Sequence, residues 1–153
     1  MEHGMKAAEL FLSGSNCAQA VVVAFSDVTG LDPALSARIS CSVGGGMGRL
    51  REVCGAVSGM YLVLGLLYGY DTPGDDVSKK RLYTEVQELA AAFREQTGSI
   101  VCREILKNAP TDPNPTPRTA EFYKVRPCAR MVLLAGQLMD EFIANHPLEE
   151  RHE

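Results

Sequence analysis

The 153-residue sequence has no block of basic residues, because 15 lysines and arginines are outnumbered by 19 aspartates and glutamates. Proteins that bind nucleic acid or anionic membrane surfaces through charge carry a basic patch, so we expect no nucleic-acid partner. The first residues also lack a basic region followed by an apolar core, and we expect no secretory signal and a cytoplasmic location. In that reducing compartment the five cysteines are not expected to be structural disulfides.

The sequence also lacks any useful run of alternating apolar and polar residues, and it contains no internal repeat. Apolar residues recur instead at helical spacing, within an ordinary globular composition that is 46% hydrophobic and 22% charged. We therefore expect one all-α domain over residues 1–153, a bundle of about six helices around a buried apolar central helix.

Val53 to Tyr70 is the run that predicts the central helix, and it carries no charge over eighteen residues. This length just reaches that of a membrane span. Because the run is interrupted by cysteine, serine and several glycines and has amphipathic neighbours, we interpret it as a core helix and expect no membrane span. Gly55 and Gly59 lie four residues apart on one face, which predicts close packing of a neighbouring element.

Cap and turn residues predict three helices before the central run, over residues 5–12, 18 to about 29, and 33 to about 43. Asn16 or Ser15 is the expected cap of the second helix. Asp32 and Pro33 are the cap and the first-turn proline of the third.

After the central run, an amphipathic helix is predicted to end at Gly98, and Ser99 is the expected cap of a short helix over residues 99–106. Residues 109–118 contain four prolines and are expected to form an exposed connection. Pro127 is predicted to open the last helix.

Four cysteines fall in the first turn of a predicted helix: Cys17, Cys54, Cys102 and Cys128. At that position free backbone N–H groups and the positive end of the helix dipole favour a thiolate, and Arg49 and Arg51 add positive charge close to Cys54 in sequence. Cys41 precedes a helix end, where the dipole has the opposite effect. Cys54 is therefore predicted to have a lowered pKa and to react before Cys41.

Gathered thiolates suit disulfide exchange, an iron–sulfur cluster or a closed zinc site. The sequence has no CxxC pair, so the same spacing is equally compatible with small buried hydrophobes. The glycine stretch over residues 44–48 lacks the GxxxxGK[ST] pattern of a phosphate-binding loop, and we interpret it as the turn that lets Cys54 meet its neighbours. The three histidines, His3, His146 and His152, lie near the chain ends and are expected to be surface residues.

The order of these motifs resembles the family of redox-active proteins named for the pattern C_GCAxxG_C_C. The shared features are Cys17 within Asn16–Val21, the Gly44–Arg49 stretch, Cys54 in Cys54–Gly59, Gly98-Ser99 ahead of Cys102, and Cys128. The resemblance covers nearly the whole chain and implies that the four cysteines are catalytic or metal-ligating. We expect cofactor contacts from Gly46, Gly48, Arg49 and Gly55. Cys41 lies outside the pattern.

Two functions are expected from this. In the first, the cysteines transfer electrons with a redox partner, by dithiol–disulfide cycling or through an iron–sulfur cluster. In the second, they hold zinc in a non-catalytic accessory module of a transport system, since family members are often encoded near transporter genes. We also expect a homodimer, because the long apolar run and the Gly55/Gly59 face offer more hydrophobic surface than short helices cover.

Overall fold

The computed structural model describes residues 2–148, and no strand occurs within that range, which confirms the predicted all-α class. The helices are α1 Glu2–Leu12, α2 Cys17–Ala24, α3 Ser26–Thr29, α4 Pro33–Ser40, α5 Gly44–Met47, α6 Gly55–Tyr68, α7 Asp76–Thr97, α8 Cys102–Ile105, α9 Ala120–Val125 and α10 Cys128–Asn145. A 3₁₀ turn, Cys41–Val43, joins α4 to α5. In the described part of the chain, six helices (α1, α2, α4, α6, α7 and α10) have eight residues or more, and the single helix predicted over residues 18–29 is divided into α2 and α3.

Helix α6 is the predicted central helix, and α2, α7 and α10 all pack against it. Met60, Val63 and Leu64 are fully buried in the one hydrophobic core that these helices share. A Cβ atom on Gly59 would lie 2.9 Å from the carbonyl oxygen of Ala18, so the glycine permits the close approach of α2 that the sequence predicted. Over residues 2–148, none of the helices combines the length and the apolar character that crossing a bilayer requires.

The Gly55/Gly59 face, on which the expected homodimer partly depended, is covered by α2 of the same chain. Exposed apolar side chains remain elsewhere, including Leu66 on α6 and Val77 on α7. The homodimer stays a prediction.

Local capping signals gave the helix boundaries correctly in several places. Asn16 forms a capping box with Gln19, and the Asp32 carboxylate accepts hydrogen bonds from the backbone N–H groups of the first turn of α4. Gly98 ends α7 in a left-handed conformation. The residues 109–118 contain no helix and are mostly exposed, as predicted.

Ser99 is not a helix cap, which corrects the predicted start of the short helix. Its hydroxyl accepts a hydrogen bond from the N–H of Val101 at 2.9 Å, and α8 begins only at Cys102. Val101 instead forms an isolated antiparallel bridge with Val53. Pairing with a distant segment therefore delays the helix by about one turn.

His3 is not a free surface residue, contrary to expectation. Its Nδ1 lies 2.6 Å from Oδ1 of Asp140 and its Nε2 lies 2.9 Å from Oδ1 of Asp27, while the ring stacks on Phe25 at 4.3 Å. These contacts join α1 to α3 and α10. His146 also packs inward, stacking on Phe142 at 3.9 Å. His152 lies outside the described residues.

Candidate functional site: a cavity lined by cysteines

A short antiparallel pairing brings the second and third pattern cysteines together. The backbone N–H of Cys54 donates to the carbonyl of Ile100 at 2.8 Å, and that of Cys102 donates to the carbonyl of Glu52 at 2.6 Å. Each cysteine lies where its segment leaves this pairing and enters a helix, Cys54 as the N-cap of α6 and Cys102 as the first residue of α8. Residues about 50 positions apart in sequence thus become neighbours.

The glycine stretch builds the turn that precedes this pairing. Gly46 adopts a left-handed φ of 72°, and its carbonyl accepts a hydrogen bond from the N–H of Glu52 at 2.8 Å. A Cβ atom on Gly46 would lie only 2.6 Å from Cβ of Cys102 and 2.7 Å from Cα of Arg51. Glycine is therefore required here both for its backbone conformation and for space.

The other two pattern cysteines reach the same place from separate helices. Cys17 is the first residue of α2 and Cys128 the first residue of α10. A Cβ atom on Gly55 would overlap Sγ of Cys17, so the absence of a side chain at the start of α6 makes room for that sulfur. The prediction that all four lie at helix starts is confirmed.

These four cysteines line one cavity of about 360 Å³. Cys54 and Cys102 are buried, with 7% and 5% exposure, and Cys17 and Cys128 are half-buried. Cys41, which the family pattern omits, lines the same cavity but is exposed. Its Sγ lies 3.1 Å from the carbonyl oxygen of Arg38.

Burial, rather than the helix dipole, dominates the chemistry of three of the thiols. It raises the pKa of Cys54 and of Cys17, and it raises the pKa of Cys128 to about 12. Backbone N–H groups of Ala56 and Val57 act in the opposite direction on the pKa of Cys54 but do not offset the loss of solvent. The predicted lowering of the Cys54 pKa is therefore wrong, because a thiolate needs solvent or charge that this buried position lacks.

The four pattern cysteines also influence one another electrostatically. Negative charge on Cys17 raises the pKa of both Cys54 and Cys128, and negative charge on Cys102 raises the pKa of Cys17 and Cys128. Such coupling means that removing a proton from one thiol makes the next removal harder. Neighbouring sulfurs thus add to the effect of burial in raising the pKa of Cys17, Cys54 and Cys128.

The two arginines that the sequence placed beside Cys54 contact other groups. Arg51 Nη1 lies 3.8 Å from Sγ of Cys102, and Arg51 Nε donates to the carbonyl of Pro110 at 3.0 Å. Arg49 Nε donates to the carbonyl of Asp112 at 2.6 Å, and its Nη1 donates to Thr116 at 3.0 Å. Arg51 therefore contacts Cys102, while Arg49 is hydrogen-bonded to the proline-rich segment, residues 109–118.

Arg118 and Arg126 also line the cavity, and both lower the pKa of Cys128 against the larger effect of burial. The Arg118 guanidinium stacks over Phe11 at 4.4 Å, and that of Arg126 lies over Phe122 at 5.2 Å. Among the described residues, no aspartate or glutamate lines the cavity. Neither arginine was a sequence candidate, since single charges flanking a proline-rich segment carry no spacing signal.

The residues expected to contact a cofactor have different positions. Gly48, Arg49 and Gly55 line the cavity. Gly46 does not line it but packs against the side chain of Cys102. Within residues 2–148, no three histidine, cysteine, aspartate or glutamate side chains are grouped closely enough to hold a metal ion. The side chains as placed do not fit a closed zinc or iron–sulfur site.

Comparison with known proteins identifies the family. No curated protein and no solved structure matches this chain. A family model described as "Putative redox-active protein (C_GCAxxG_C_C)" matches residues 15–142, a range that contains the glycine turn and all four pattern cysteines. Because this match covers well over half of the 153 residues, the chain belongs to the C_GCAxxG_C_C family of redox-active proteins.

Proposed function

We propose that Cys17, Cys54, Cys102 and Cys128 form a two-electron thiol–disulfide couple that exchanges with a redox partner. The observation that carries this proposal is that thiols from four separate helix starts line one cavity. Closing two thiols into a disulfide releases two electrons and two protons, and a disulfide of the partner takes up both and becomes two thiols. The exchange then balances without a further reactant.

Cys102 is the expected attacking thiol. The Nη1 atom of Arg51 lies 3.8 Å from the sulfur of Cys102, so a positive charge lies beside the thiol that would attack the partner's disulfide. Cys54 is a buried thiol with a raised pKa, which suits the role of closing the mixed disulfide rather than opening the reaction.

Iron–sulfur and zinc sites rank behind this proposal. Four soft sulfur donors are the right chemical type for either metal site. However, the cysteine side chains would have to move together to provide even three ligands, because the described residues include no such group. The zinc-binding accessory module and the iron–sulfur carrier are therefore alternative outcomes of the test below.

The test is purification without oxygen, followed by metal analysis, visible absorption and titration in dithiol–disulfide buffers. At each potential the free thiols are alkylated and counted by mass spectrometry. We expect a colourless, metal-free protein that loses two free thiols on oxidation. A coloured protein with bound iron would support the iron–sulfur carrier instead, and stoichiometric zinc with the four pattern thiols unreactive and Cys41 still reactive would support the accessory module.

Single variants assign the couple to particular sulfurs. Cys102→Ser and Cys54→Ser should abolish the reversible loss of two thiols. Cys41→Ser is the matched control, since Cys41 is exposed and lies outside the family pattern. If Cys41→Ser abolishes the couple and Cys54→Ser leaves it intact, the roles proposed here are wrong.

A further inference from the structure

Arg51 is a buried cation with an unused donor. The residue is only 4% exposed, and the Nη2 atom of its guanidinium has no hydrogen-bond partner among the described residues. Arginine stays protonated in proteins, so this charge persists inside the fold. A buried guanidinium N–H group without an acceptor can still donate a hydrogen bond to a negatively charged group.

The position of Arg51 directs that capacity into the cysteine cavity. Its side chain lines the cavity beside Cys102, and its carbonyl accepts a hydrogen bond from the N–H of Arg103 at 3.1 Å, which holds the backbone in place. The backbone of Arg51 is thus hydrogen-bonded to Arg103, and its side chain is hydrogen-bonded to Pro110.

The rest of the cavity wall favours the same sign of charge. Arg49, Arg118 and Arg126 add three further cations, and the described lining contains no carboxylate. The N-termini of two long helices, α6 and α10, also point their positive dipole ends here through Cys54 and Cys128. These features reinforce the donor supplied by Arg51.

The wall also contains apolar side chains, Phe11, Phe122 and Met131 among them, and the guanidinium groups of Arg118 and Arg126 lie over the Phe11 and Phe122 rings. A volume of about 360 Å³ is far more than one water or a simple inorganic ion needs, and it falls in the range of sites for small organic ligands. The cavity therefore offers both cationic and apolar groups to one occupant.

We propose that this cavity binds a small organic carboxylate, with its oxygens on the guanidinium of Arg51 and its apolar body beside Phe11, Phe122 and Met131. Binding of the carboxylate is independent of the cysteine chemistry. The further statement that the substrate of the redox couple is a carboxylate-bearing disulfide rests on the proposed function. In that reaction the protein dithiol becomes a disulfide, and the bound disulfide becomes two thiols.

The binding test uses benzoate and its neutral isostere benzamide, titrated calorimetrically into the reduced full-length protein. We expect benzoate to bind about tenfold or more tightly than benzamide, as a charge-assisted hydrogen bond requires. Bound benzoate should also slow alkylation of Cys102. Equal affinities for the two ligands, or no binding of benzoate, would overturn the proposal, and both results come from the unaltered protein.

The matched variants are Arg51→Gln and Arg103→Gln, which remove the same charge from different places. Arg103 is exposed and pairs with Glu52 at 2.9 Å, so its replacement controls for net charge. Benzoate affinity should fall about tenfold in Arg51→Gln and stay unchanged in Arg103→Gln. An unchanged affinity in a folded Arg51→Gln protein would place the anion elsewhere and refute the assignment. If that variant does not fold, Arg51→Lys, which keeps the charge but loses the second nitrogen, serves in its place.

A second pair of probes separates this inference from the proposed function. Dithiobis(nitrobenzoate) is an anionic aromatic disulfide, and dithiodipyridine is a neutral one. We expect Arg51→Gln to lower the ratio of their reaction rates about tenfold, since any effect on Cys102 itself cancels in the ratio. An unchanged ratio contradicts the carboxylate substrate. Failure of both disulfides to oxidise the protein contradicts the proposed function, whatever benzoate does.

Discussion

Alkylation of the reduced, metal-free protein by iodoacetamide at neutral pH should modify Cys41 long before Cys54 or Cys128. Only the thiolate attacks this reagent. Cys41 is exposed, whereas burial raises the pKa of Cys54 and holds the pKa of Cys128 at about 12. This order is the reverse of the one expected from sequence. The sequence expectation considered the helix-start position of Cys54 and the nearby arginines but not burial.

The size of the effect can be worked out for Cys128. A shift from the ordinary value of 9.0 to about 12 lowers the thiolate fraction near pH 7 about 10³-fold. A more basic thiolate is intrinsically more nucleophilic, which returns a factor of about 20. The net rate for Cys128 should therefore be at least about 50-fold below that of a small free thiol, before restricted access is considered.

The assay follows each cysteine separately. Samples are quenched at intervals, digested and analysed by mass spectrometry, with N-acetylcysteine in the same tube as the reference thiol. The same measurement in urea is the control, where all five cysteines should react at similar rates. Alkylation of Cys54 or Cys128 ahead of Cys41 in the folded protein would refute the reasoning from burial.

Three further predictions concern stability. The folded pKa of Cys128, about 12, exceeds the ordinary 9.0, so the folded state keeps a proton that the unfolded state loses. The free energy of unfolding should therefore fall by about 1.4 kcal/mol per pH unit above about pH 9. The melting temperature of the reduced protein should fall less steeply with rising pH in Cys128→Ala. Gly55→Ala should cost about 1–3 kcal/mol in urea unfolding, because its Cβ would overlap Sγ of Cys17. Gly65→Ala, in open space on the same helix, should be neutral or stabilising by up to about 1 kcal/mol, and equal losses in the two variants would contradict the packing argument. His3→Gln should lower the free energy of unfolding by about 1 kcal/mol through loss of the Asp27 and Asp140 contacts, with the exposed Met5→Gln as control; identical melting temperatures for these two variants would show that the contacts add nothing.

The sequence by itself determined the six longer helices and the placement of the pattern cysteines at helix starts, but not the short helices α3, α5 and α9. Asn16 caps α2 through Gln19, three residues away, and Gly98 ends α7 through its own backbone conformation. Such signals depend on groups within one turn of each other, so they can be recognised in the amino-acid sequence. The predicted cap Ser99 was wrong because Val101 pairs with the distant Val53, and this pairing replaces the local capping signal.

Only the tertiary structure decided the chemistry of each sulfur. Arg51 follows Arg49 closely in sequence and precedes Cys54 by three positions, yet its guanidinium lies beside Cys102, on a segment brought in by backbone pairing. The burial that raises the pKa of Cys54 comes from packing around the central helix. The two arginines that lower the pKa of Cys128 are Arg118, which precedes α9, and Arg126, which directly follows it. Solvent exclusion and charge act through space, and the distances that set them exist only once the helices have packed.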